Sequence, residues 1–184
     1  MRILGVTASG FTPPGDYELI QTYVLGSAQS SVTFSSLGDY SSTYKHLQIR
    51  ATARVAGAST GATLTFRLNG DTGSNYSSHE ITGNGSSVTS YGEANTTRGF
   101  FGVSPGSSST ANAFGSMVFD LLDPFSTTKN KTTRTFGGQT SNNFVYLYSS
   151  SHRSTAATTS IQIFHVGGSD FVTGSRFSLY GIRG

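Results

Sequence analysis

The chain of 184 residues contains no cysteine and no tryptophan, has four prolines, and carries charge on only 11% of its residues. Without cysteine, disulfides and thiolate metal sites are excluded, and folding needs no oxidising step. Roughly 25% of the residues of a typical domain are charged; here Gly, Ser, Thr and Asn supply the polarity instead. The shortage of charge does not signal disorder, which favours high net charge and few aromatics, whereas this chain has 13 Phe and 9 Tyr. The net charge is +3. A nucleic-acid binder concentrates Lys and Arg on one face, but the densest basic stretch, Lys129-Asn130-Lys131-Thr132-Thr133-Arg134, reads as a solvated turn and strand face. No apolar run reaches the length of a membrane span, and Ile3-Leu4-Gly5-Val6 is too short for the apolar core of a secretory signal. Neither nucleic-acid binding nor membrane insertion is therefore expected.

What is present is alternation. In residues 44–55, Leu47, Ile49, Ala51, Ala53 and Val55 fall on one face of an extended strand, and His46, Gln48, Arg50, Thr52 and Arg54 on the other. Period-2 patterning over about ten residues marks a strand with one face in a core, and this one is expected to be central. Residues 63–68 alternate as cleanly, with Leu64, Phe66 and Leu68 inward, and Asn69-Gly70 follows as a hairpin signal. Residues 113–122 are apolar on both faces, consistent with a strand between two layers or with a short helix. Further short extended stretches are separated by turn residues at regular spacing. The expectation is one domain, an all-β, jelly-roll-like antiparallel β-sandwich of roughly ten strands spanning residues 16–184. Residues 1–15 read as an extended docking arm, in which Ile3, Leu4, Val6 and Phe11 are the apolar contacts and Pro13-Pro14-Gly15 breaks regular structure.

Catalytic signatures are weak throughout. Gly102-Val103-Ser104-Pro105-Gly106 matches G-x-S-x-G, but a proline follows the serine and no βα pattern surrounds it, so a surface turn is expected. Asp120 and Asp123 have the residue types of a glycosidase pair but read better as a strand-end turn. Of the four histidines, none forms the helical i, i+4 pair of a zinc site; His46 and His165 read as hydrogen-bonded strand residues. The stretch Asn69-Gly70-Asp71-Thr72-Gly73-Ser74-Asn75 is oxygen-rich, yet has a single carboxylate and departs from the calcium-loop pattern, which favours a hairpin turn. No catalytic residue, cofactor or metal is assigned. Loops rich in Tyr, Asn, Ser and Gly suit adaptable contacts, and Asn69, Asp71, Asn75, Tyr76 and Tyr91 are the candidate outward contacts, with Tyr146 and Tyr148 as further aromatic candidates.

Five stretches taken in order carry a resemblance. They are Asp16-Tyr17-Glu18-Leu19-Ile20, Ser31-Val32-Thr33-Phe34-Ser35-Ser36-Leu37, Thr43-Tyr44-Lys45-His46-Leu47-Gln48-Ile49-Arg50, Phe66-Arg67-Leu68-Asn69-Gly70-Asp71-Thr72-Gly73-Ser74-Asn75-Tyr76, and Gly174-Ser175-Arg176-Phe177-Ser178-Leu179-Tyr180-Gly181-Ile182. Together they resemble a family of small virion structural proteins of tailed bacteriophages, cyanophages and marine phages among them. The resemblance implies a non-enzymatic particle component, assembled in the host cytoplasm and exposed on the particle exterior. It implies other virion proteins as partners and homo-oligomerisation with a trimer favoured, but not the place on the particle; the location expected here is the tail or a fibre-like appendage, with outward loops meeting a host-surface glycan or receptor. A capsid cement or decoration protein is the alternative within this class. A capsule-degrading hydrolase and a free sugar-binding module are the alternatives outside it.

Overall fold

A computed structural model describes residues 15–184; the expected arm, with Ile3, Leu4, Val6 and Phe11, lies outside the described residues apart from Gly15. The described chain forms twelve strands, two more than the expected ten or so: β1 (Tyr17–Val24), β2 (Ser31–Phe34), β3 (His46–Ala53), β4 (Ala62–Leu68), β5 (Tyr76–Gly83), β6 (Val88–Thr96), β7 (Gly99–Ser104), β8 (Gly115–Leu122), β9 (Lys131–Gln139), β10 (Phe144–His152), β11 (Ile161–His165) and β12 (Arg176–Ile182). The only helical piece among the described residues is one 3-10 turn, Leu37–Tyr40. Residues 115–122 are strand, as their glycine and β-favouring residues dictate, with Met117, Phe119 and Leu121 buried and Val118 turned outward.

The strands form two antiparallel sheets, one of eight in the order β1-β12-β3-β8-β9-β10-β5-β6 and one of four in the order β2-β11-β4-β7. Their pairing is that of a jelly roll. Strand β1 pairs with β12, β2 with β11, β3 with β8 and β4 with β7, as if one long hairpin had been rolled so that successive pairs fall in alternate sheets. Two hairpin insertions complete the molecule. Strands β5 and β6 leave the roll between β4 and β7, β9 and β10 between β8 and β11, and all four add to the β8 side of the larger sheet.

The main core lies between the two sheets. All five aliphatics of the 44–55 alternation are buried in it, and β3 sits between β12 and β8. Phe66 of the small sheet meets Phe119 of the large one edge-on, with ring centroids 5.1 Å apart, and Phe101 packs on Phe119 at 5.0 Å. A second, smaller cluster, Phe100, Val103, Tyr146 and Tyr148, joins β7 to the inserted strands. There the inner face of the large sheet is mostly polar: Thr133, Thr135, Ser150, Ser78 and Thr82 are buried. The Ser78 and Ser150 hydroxyls lie 2.9 Å apart and both accept from the Phe100 amide.

Candidate functional site

The oxygen-rich loop 69–75 is a corner between the two sheets and not a hairpin turn. Asn69 and Gly70 both adopt positive φ, 54° and 67°, as that dipeptide permits, but β4 and β5 on either side belong to different sheets. The hairpin signature recurs at Asn84-Gly85, where β5 and β6 do pair, from Gly83↔Val88 onward. The Asn69 carboxamide ties down residues 157–160: its Oδ1 accepts from the Thr159 and Ser160 amides at 2.7 and 3.2 Å, and its Nδ2 donates to Ala157 O at 2.9 Å.

Asp71 is equally engaged. Its Oδ1 accepts from the Gly73 amide at 2.7 Å, and its Oδ2 accepts from Asn75 Nδ2 at 2.8 Å and lies 2.7 Å from His152 Nε2. The hydrogen bond from His152, helped by those from Asn75 and Gly73, holds the Asp71 carboxyl down at about 2. His152 is buried and stacks on Tyr76 with centroids 4.5 Å apart and planes 17° apart. Tyr76, expected to face outward, is fully buried. Its ring packs edge-on against Phe66 at 6.0 Å, its hydroxyl accepts from the Leu68 amide at 3.0 Å, and burial pushes that hydroxyl up to about 12. The Asn69 and Asp71 side-chain oxygens are thus turned onto protein donors, at Gly73 and Asn75 within the loop and at His152, Thr159 and Ser160 beyond it. Among the described residues, no group of three or more His, Cys, Asp or Glu is placed to hold a metal ion.

Tyr146 and Tyr148 are also buried, the Tyr146 hydroxyl donating to Val103 O at 3.4 Å, so neither presents a ring to solvent. Tyr91 does, but from a strand and not a loop. It stands on β6 opposite Glu80, in the row that continues through Tyr148 and Thr135 on the inner face. Because β6 extends past the edge of the small sheet, Tyr91 remains 55% exposed, its ring 6.3 Å from Phe100. Beside it, burial raises the Glu80 carboxyl, and the Arg98 and Glu93 side chains lie 3.6 Å apart.

The weak catalytic candidates are engaged within the fold. Ser104 is completely buried at the end of β7, where its neighbours close over the chain, and not on a surface turn. Asp120 accepts from Gln48 Nε2 at 2.7 Å and Arg134 Nε at 2.8 Å, and Asp123 from Lys129 Nζ at 2.7 Å. His46 and His165 accept backbone amides of Asp123 and Ser169 through Nδ1, both at 3.1 Å. The basic stretch is only partly solvated. Lys131 is buried and caps the carbonyls of Ser126, Lys129 and Thr155 at 2.7, 3.0 and 3.4 Å, and burial lowers its pKa.

One surface emerges that no sequence motif marked. On the outer face of the large sheet, Val118, Phe136, Leu147 and Ile81 stand in one cross-strand row over β8, β9, β10 and β5, paired Val118↔Phe136, Phe136↔Leu147 and Leu147↔Ile81. The next row adds Val145 and Val88 on either side of Gly83. All six are substantially exposed, Phe136 by 63%. The inserted strands therefore turn their aliphatic residues and Phe136 outward while burying Ser and Thr inward beside Tyr76, Tyr146 and Tyr148. Asp120, Arg134, Ser149 and His79 form the adjoining polar row. Toward β1 the face becomes polar, with the Arg50 guanidinium held over Tyr17 and Tyr180, 5.1 and 5.5 Å from the ring centroids.

No protein-family model matches the chain, and no curated protein matches it.

Proposed function

We propose that this chain is a non-enzymatic structural protein of a bacteriophage particle, carried on the exterior at the tail or a fibre-like appendage. The observation that carries the reading is the apolar row Val118, Phe136, Leu147 and Ile81 on an otherwise hydroxyl-rich jelly roll. Contiguous apolar surface of this kind marks a face that another macromolecule covers, and a protein whose work is assembly has a use for it. Jelly rolls serve as capsid and lectin domains among other roles; this is support by analogy of fold. The sequence resemblance to phage virion proteins points the same way. In this reading the chain forms a homo-oligomer, a trimer by analogy with appendage proteins, and residues 1–15 join it to a neighbouring virion protein. Tyr91 is the exposed aromatic best placed to meet a host-surface glycan or receptor.

Antibody-gold labelling of purified particles, with an antibody that recognises the native fold, tests the assignment. Gold at the tail or its fibres supports it. Gold spread over the head replaces it with a capsid decoration protein, and bare particles overturn the virion assignment. Deleting residues 1–15 is expected to abolish incorporation without unfolding the domain; normal incorporation of the truncated chain would sink the anchoring role.

A further inference from the structure

We propose that the apolar outer face over β8, β9, β10 and β5 is closed by the same face of a second copy of this chain, an inference that rests on the homo-oligomer reading above and makes this contact twofold, a dimer in place of the trimer suggested by analogy.

Three observations support a copy of the same chain as the occupant. The first is the inversion of the inserted strands. A free-standing sheet edge would be expected to keep Phe136, Leu147 and Ile81 inward and its threonines outward. Here the inner positions hold Thr133, Thr135, Ser150 and Ser78 beside the buried Tyr76, Tyr146 and Tyr148, while the aliphatics Ile81, Val145 and Leu147 and the ring of Phe136 face out. The second is size. Six large apolar side chains at the exposures found here present on the order of 500 Å², the upper range for a monomer's largest patch. A standard interface buries roughly 800 Å² per partner, of which these side chains alone would supply more than half. The third is charge. Arg134 and Asp120 neutralise one another at 2.8 Å in the row beside the patch, and over β8, β9, β10 and β5 the apolar rows carry no charged residue, Arg50 on β3 bounding the first row opposite Val118. Two copies can therefore approach without opposing like charges, and sheets packed face to face leave about 10 Å for their side chains to interdigitate.

The test is the solution mass of the full chain by light scattering after size exclusion, across a micromolar concentration series. The variants are Phe136→Lys and Ile81→Lys, on different strands of the patch. Circular dichroism and a cooperative thermal transition establish that each variant folds, and Phe136→Thr, a strand-favouring residue, stands in for a lysine variant that does not. The expected result is a dimeric wild type and folded variants at the monomer mass. An oligomer that survives the substitutions overturns this interface and leaves the homo-oligomer reading standing. A wild type that is monomeric at every concentration overturns both.

Discussion

At the scale of single residues, the loop between β4 and β5 is the most closely tied part of the described chain. Asp71 and His152 are 81 positions apart and meet at 2.7 Å. Replacing Asp71 by alanine leaves a buried imidazole without its partner, and an unsatisfied buried polar group costs about 1–3 kcal/mol; urea denaturation measures the loss. The pH dependence has a definite sign. The folded-state carboxyl sits at about 2, below its ordinary value of 3.8. Its contribution is therefore complete above the unfolded value and is lost as pH falls from about 4 toward about 2. Thermal melts of Asp71→Asn are expected to be flatter than wild type over that window; parallel curves would remove the pair from the account. Asn69→Ala gives up the bonds to residues 157–160 and sets an alanine at positive φ, so a loss of about 1–3 kcal/mol is expected. The sequence showed a polar loop here. It did not show His152 or residues 157–160 as partners, because these are brought near only by the fold.

At the scale of elements, the alternating strands were legible. Leu47, Ile49, Ala51, Ala53 and Val55 are buried together because a strand's side-chain period is fixed by its backbone, and they are apolar. The core they join predicts a large effect for Phe119→Ala, which removes a ring packed against both Phe66 and Phe101. About 3–5 kcal/mol is expected in denaturant unfolding. The inserted strands read less well. Residues 144–148 are apolar on both faces, so alternation could not say whether Tyr146 or Leu147 points inward. The answer depends on Gly102 and Gly137, which make room for the Tyr146 hydroxyl between β7 and β9. A methyl group on Gly137 would meet that hydroxyl and the Ser116 carbonyl oxygen, the latter at 2.6 Å. Gly137→Ala is thus expected to destabilise by about 1–3 kcal/mol, as overpacking does, and Tyr146→Phe alone to cost less.

At the scale of the whole molecule, a small sheet of four strands covers a large sheet of eight. The inserted strands are covered from inside chiefly by β7, and β6 projects beyond it with Tyr91 and Val88 exposed. The proposed association through the outer face is apolar in character. Its oligomer is therefore expected to be insensitive to NaCl, which screens exposed charges, and to be strengthened by sulfate, which favours burial. Dissociation by about 1 M NaCl, read by sedimentation, would point to ionic contacts instead.

The sequence by itself determined an all-β domain without disulfides, the strands that build it and the inward residues of β3 and β4, because period-2 alternation and turn chemistry are local properties of the backbone. Only the tertiary structure decided that Tyr76, Tyr146 and Tyr148 are buried while Phe136, Leu147 and Ile81 are not. Alternation divides a strand into two faces but does not say which one a second sheet will cover. That choice is made by the jelly-roll pairing of β1 through β12, between residues too far apart in the chain for any local pattern to register.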